Sequence, residues 1–110
     1  MSKPKDVVQG TLSLLIMKVL ALEPMHGWAV SQRIQQVTRN VLQVPQGSLY
    51  PALHRLEQEG WIEAEWGIAE DTKRQAKFYR LTPSGRKHLT AEKQAWTKLV
   101  GAVEQVLSQT

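Results

Sequence analysis

Apolar positions along this chain fall into segments with different periods. In the first, Leu12, Leu15, Ile16, Val19 and Leu20 recur at helical spacing, which predicts a helix from about Val8 to Leu22, ended by Pro24. Leu14 and Met17 fall off that stripe, so the helix is apolar on more than one side. Such a helix is either central in a core or covered by a partner. A second helix fits His26 to about Arg39, with Val30, Ile34 and Val37 on one face and Arg33 and Arg39 off it. Val44-Pro45-Gln46-Gly47 breaks the pattern. A third helix follows from about Ser48 to Glu59, where Leu49, Leu53 and Leu56 keep the helical rule. Ser48 is placed to cap it, Pro51 to fall in its first turn and Gly60 to stop it at C′.

Beyond Gly60 the period becomes that of a strand. Ile62, Ala64 and Trp66 alternate with Glu63 and Glu65, Gly67 to Gln75 is a polar turn, and Lys77, Tyr79 and Leu81 share one face of a return strand over Ala76 to Leu81. Thr82 and Pro83 then supply the N-cap and first position of a last helix running to about Leu107. Its apolar stripe is Leu89, Trp96, Leu99, Val100, Val103, Val106 and Leu107. The predicted fold is mainly α with a two-stranded β-hairpin, a winged helix-turn-helix carrying a long C-terminal helix. Residues 1–82 form the winged unit, with residues 1–6 a flexible basic start, and residues 83–110 the final helix.

Size and composition narrow the function. The 110 residues fit one domain with a small core. There is no cysteine, which excludes disulfides, thiolate metal sites and cysteine nucleophiles. The most apolar run, Leu12 to Leu22, falls far short of the roughly 20 residues that cross a bilayer. Glu23-Pro24-Met25-His26 after it offers no cleavage site, so the expectation is a soluble, cytoplasmic protein with no membrane partner.

The net charge of +4 matters less than its layout. Residues 57–71 hold six acids and no base, and residues 73–87 hold six bases and no acid. Such blocks suit a surface aimed at a polyanion, or equally a hairpin whose two sides pair with each other.

Four segments in order resemble the PadR-like family of transcriptional regulators. Gly47-Ser48-Leu49-Tyr50-Pro51-Ala52-Leu53-His54-Arg55-Leu56-Glu57-Gln58-Glu59-Gly60 is similar to the family signature. Gly10-Thr11-Leu12 with Leu14-Leu15 resembles its first helix, His26-Gly27-Trp28 its second-helix entry (where Tyr is commoner than Trp), and Lys77 to Gly85 its return strand and turn. The resemblance spans roughly residues 7 to 107. It implies a homodimeric repressor on a palindromic operator in double-stranded DNA. It also implies a last helix that dimerises against the partner's first helix, and in many members a small aromatic or planar effector. The interface positions are then Leu12, Leu15, Trp96, Leu99, Val100, Val103, Val106 and Leu107.

On the third helix, a core side of Leu49, Ala52, Leu53 and Leu56 turns Tyr50, Pro51, His54, Arg55 and Gln58 outward. Arg55 can grip a guanine edge with two hydrogen bonds or clamp a phosphate. Ser48 and the open amides of the first turn suit a phosphate oxygen. Tyr50 can reach the backbone or a thymine methyl, or simply fill a gap as a half-buried ring, and His54 can contact DNA or stay solvated. Lys73 and Arg74 at the hairpin tip and Lys77 on the return strand complete the candidate DNA surface. The plainer alternative pairs these bases with Glu63, Glu65 and Glu70, at about 0–1 kcal/mol per exposed pair.

Trp28 and Trp61 read as core or shoulder packing and Trp66 as the close of the first wing strand. Trp96 reads as an interface anchor, and alternatively as the wall of a slot stacking a flat effector. No pair among His26, His54 and His88 has metal-ligand spacing, and no nucleophile elbow or Gly-rich phosphate loop occurs. The expectation is no catalytic residue, no metal and no cofactor. The rival is a winged helix that docks a protein instead of DNA.

Overall fold

The computed structural model describes residues 4–110, with side chains from Gly10 onward. Its elements are α1 (Pro4–Leu22), β1 (Met25–His26), α2 (Gly27–Val37), α3 (Gln46–Gln58), β2 (Ile62–Ile68), β3 (Gln75–Leu81) and α4 (Pro83–Leu107). Of the start expected to be flexible, residues 1–3 lie outside the described chain, and Pro4 to Asp6 already belong to α1.

The off-stripe positions of the first helix have a plain cause. Leu12, Leu14, Ile16, Met17, Val19 and Leu20 are all buried, because α1 is central and meets α2, α3, α4 and β3. Each such side chain contributes about 1.5–3 kcal/mol on leaving water. Met25, Val30, Ile34, Leu49, Ala52, Leu53, Leu56, Ile62, Tyr79, Leu81 and Leu89 complete one core.

The sheet has three strands in the order β1-β3-β2, not the two of a simple hairpin. β2 and β3 pair antiparallel from Ile62 opposite Leu81 to Ile68 opposite Gln75. The free edge of β3 takes up Met25 opposite Tyr79 and His26 opposite Phe78. A strand of two residues has no readable periodicity, so this pairing is created by the edge it meets. His26 consequently caps α2 instead of opening it: its Nδ1 accepts from the Ala29 amide at 3.4 Å.

Other boundaries shift for local reasons. The second helix stops at Val37, with Thr38 as C-cap, and Arg39 and Asn40 take left-handed backbone with φ of 51° and 68°. The third helix starts before Ser48, with extended Pro45 as N-cap. The Pro45 carbonyl accepts from the amides of both Ser48 and Leu49 at 3.0 Å. Pro51 therefore lies inside the helix, where its missing N–H leaves the Gly47 carbonyl without that donor. Gly60 ends the element at φ 78°, a conformation that favours glycine. The Thr82 hydroxyl caps α4 by accepting from the Gly85 amide at 3.0 Å.

Candidate nucleic-acid interface

α3 presents two sides. Leu49, Ala52, Leu53 and Leu56 are buried, and Tyr50, Pro51, His54, Arg55 and Gln58 are exposed. The Arg55 guanidinium has no ion-pair partner among the described residues, so its donors are available to an incoming acceptor. Ser48 is half-buried in the first turn. With its amide bonded to Pro45, the open donors there are the amides of Gln46 and Gly47 instead.

Tyr50 packs against a neighbouring element and still reaches solvent. Its ring lies over the start of α2, where a Cβ on Gly27 would meet the ring at 3.0 Å. The same side chain remains 45% exposed. Gly27 thus lets a ring from α3 rest on the α2 backbone.

The wing tip is a tight turn. The Ala69 amide donates to the Arg74 carbonyl at 2.9 Å, and the Lys73 amide to the Ala69 carbonyl at 2.8 Å. Ala69 is buried beneath the turn, Lys73 sits in left-handed backbone at φ 60°, and both Lys73 and Arg74 project into solvent. The cross-hairpin pairing that the charge blocks allow occurs elsewhere: Arg80 Nε donates to Glu63 at 2.6 Å, directly across the strands. Lys73 and Arg74 have no such partner among the described residues.

Lys77 differs from the other candidates. It shares a face with Tyr79 and Leu81, which turns it toward α3, and its ammonium lies 3.7 Å from the Glu57 carboxylate. Tyr79 beneath it is buried. Its phenol is pushed above the ordinary value of 10.0, first by loss of water and then by the nearby Glu57 and Tyr50. Lys77 is a tie between the wing and α3 in this structure, and the Glu57 carboxylate faces the wing.

Sequence reasoning missed Trp28 and Trp66 as surface groups. They are 47% and 62% exposed, and both border an open cleft between α2, α3 and the wing. The strand alternation puts Trp66 on the same side as Ile62, but β2 outruns the core beneath it, so the ring has nothing to bury against. Trp61, by contrast, packs as a shoulder, stacked on His88 with ring centroids 3.4 Å apart.

The assembly positions also separate. Leu12 is 3% exposed and belongs to the protomer's own core, and Leu15 is half-buried. On α4 only Gly85 and Leu89 are buried; Val100 is half-buried, and Trp96, Leu99, Val103, Val106 and Leu107 are exposed. Trp96 and Leu99 border a shallow hollow with Gly10, Thr11 and Leu14 of α1. No described helix is long and apolar enough to cross a membrane.

Three helices with an antiparallel wing folded beside the third, whose outward side carries Arg55, define a winged helix-turn-helix. The pattern of the transcriptional regulator PadR-like family matches residues 16–91. The chain belongs to that family, one of transcriptional regulators and not of enzymes. It is similar to Transcriptional regulator Rv3488 of Mycobacterium tuberculosis, 32% identical over 90% of this chain and 88% of the relative. Among solved structures it resembles a transcriptional regulator from Clostridium thermocellum, at TM-score 0.81 and 27% identity over 94% of this chain and 99% of the other. A PadR family transcriptional regulator from Eggerthella lenta superposes at TM-score 0.80 and 27% identity, over 96% of this chain and 88% of that one.

Proposed function

We propose that the protein regulates transcription by binding double-stranded DNA as a homodimer, acting in the cytoplasm as a repressor on a palindromic operator. The observation that carries the reading is the outward side of α3. Tyr50, Pro51, His54 and Arg55 are exposed there, beside a wing tip whose Lys73 and Arg74 are free of ion pairs among the described residues. In this reading α3 enters the major groove with Arg55 at a base edge. The amides of Gln46 and Gly47, near Ser48, receive a phosphate, and Lys73 and Arg74 hold the flanking backbone. Lys77 acts through its tie to Glu57 and comes to the phosphates only if that tie opens.

Residues 1–82 then form the DNA-binding unit and residues 83–110 the assembly helix. Trp96, Leu99, Val103, Val106 and Leu107 are exposed on α4, and a second copy of the chain covers them, together with Val100 and Leu15, in the dimer. Two recognition helices about 34 Å apart would match successive turns of a palindrome. A small aromatic or planar effector relieves repression by stacking on Trp96 at that interface.

A mobility-shift titration against the DNA upstream of the protein's own gene, repeated over a salt series, tests the reading. Retarded complexes should weaken with a negative log–log slope of about 0.9 per phosphate contact. A slope near zero, or a monomer in sedimentation at the concentrations that shift DNA, would falsify it.

A further inference from the structure

Trp28, Tyr50 and Trp66 come from α2, α3 and β2, yet all three rings border one open cleft of about 570 Å3. They are the most exposed aromatic side chains outside α4, and they converge on the gap between the recognition helix and the wing. A concentration of exposed apolar surface like this marks a place that is covered in the working state. The rim carries opposite chemistry. Arg74 stands there without an ion-pair partner among the described residues, and the lining's one carboxylate, Asp71, already faces His26 Nε2 at 3.8 Å.

We infer that the cleft seats one sugar–phosphate strand of duplex DNA, with deoxyribose faces packed on Trp28 and Trp66 and phosphate oxygens turned to Arg74. The inference rests on the DNA-binding reading above and gives it a second, non-ionic component. Position argues for this occupant. Tyr50 at the start of α3 bounds the cleft on one side, and Thr72 and Arg74 of the wing bound it on the other. A duplex that touches both must pass across the space between them. A phosphate alone does not complement an aromatic floor, but the C–H faces of the sugars do. Burying such surface releases no counterions, so its share of the affinity is independent of salt, unlike the share from Lys and Arg.

That difference is measurable. Trp66→Ala, Trp28→Ala and Arg74→Ala are titrated with random-sequence duplex over a salt series, alongside the unaltered protein. Both tryptophans are exposed, so unchanged thermal melting is expected, and Trp66→Tyr, which keeps a ring, should retain most of the affinity. Trp66→Ala and Trp28→Ala should each weaken binding roughly five- to tenfold at every salt concentration, as expected for losing part of a ring's burial, with the slope unchanged. Arg74→Ala should instead lower the slope by about 0.9. If the unaltered protein binds DNA and both tryptophan variants match it, the cleft assignment is overturned and the DNA-binding reading stands. The assignment is equally overturned if Trp66→Ala abolishes binding of a flat aromatic dye while leaving DNA affinity intact, since the cleft is then a small-molecule pocket. An unaltered protein that binds no duplex even at low salt overturns both.

Discussion

The Lys77 ammonium lies 3.7 Å from the Glu57 carboxylate and so joins the return strand of the wing to the last turns of α3. Both side chains are partly exposed, so the pair itself adds no more than about 1 kcal/mol to stability. It occupies one cation of the basic block, and in the proposed DNA-bound state it would hold an acid beside the duplex. Glu57→Gln is expected to leave the melting temperature nearly unchanged, to tighten DNA binding and to steepen the salt slope by up to about 0.9. Unchanged affinity and slope would show that Lys77 stays clear of the phosphates even when freed.

Arg55 is the outward α3 side chain best able to read a base, because its planar fork matches the two acceptors of guanine. Arg55→Ala should cost about 1–3 kcal/mol on the operator and clearly less on random duplex. Competition titrations with the two DNAs give both numbers. Equal losses on both make Arg55 a phosphate clamp.

Gly85 sits where the start of α4 crosses the corner between α3 and β2. A Cβ there would collide with the Trp61 carbonyl and stand 2.8 Å from Leu81. The first obstacle is backbone, fixed further by the Thr82 amide donating to that same carbonyl at 3.0 Å. Gly85→Ala should therefore destabilise the protein by about 1–3 kcal/mol, read as a lower midpoint in urea. Gly101→Ala is the control, since nothing lies within 4 Å of its added methyl. Equal midpoints for the two variants would refute the close approach.

Tyr79 gives stability a signature at high pH. Its phenol is held above the ordinary value of 10.0, chiefly by burial. Below that pH both the folded and unfolded chains carry a neutral phenol, and the group gives no pH dependence. As pH rises past 10.0 the unfolded chain ionises while the folded one resists, so stability falls until the folded value is also passed. Tyr79→Phe should flatten this decline in denaturation curves taken from neutral to alkaline pH. A decline of equal steepness in the variant assigns it to other groups.

Residue pattern was enough to settle which side of the third helix faces the core. Leu49, Leu53 and Leu56 repeat at helical spacing, and the outward identity of Tyr50, His54 and Arg55 follows from geometry alone. Gly60 and the Thr82-Pro83 pair marked real boundaries because a left-handed residue and a side-chain cap are local devices. Leu14 and Met17 already signalled a helix apolar on several sides, although only the fold showed that α1 is central in the protomer's own core.

Whatever depends on which elements meet was set by packing. Met25 and His26 became a strand because β3 had an edge to offer, and a pairing of that length leaves no periodic trace. Pro45 took the cap expected of Ser48 because its carbonyl could bind two amides at once, which moved Pro51 into the helix. Lys77 met Glu57, and Trp66 stayed at the surface, because the wing folds against α3 and then runs past the core. Alternation along a strand states which side a residue takes. It does not state how far the core extends beneath that side, and that extent left Trp66 at the mouth of the cleft.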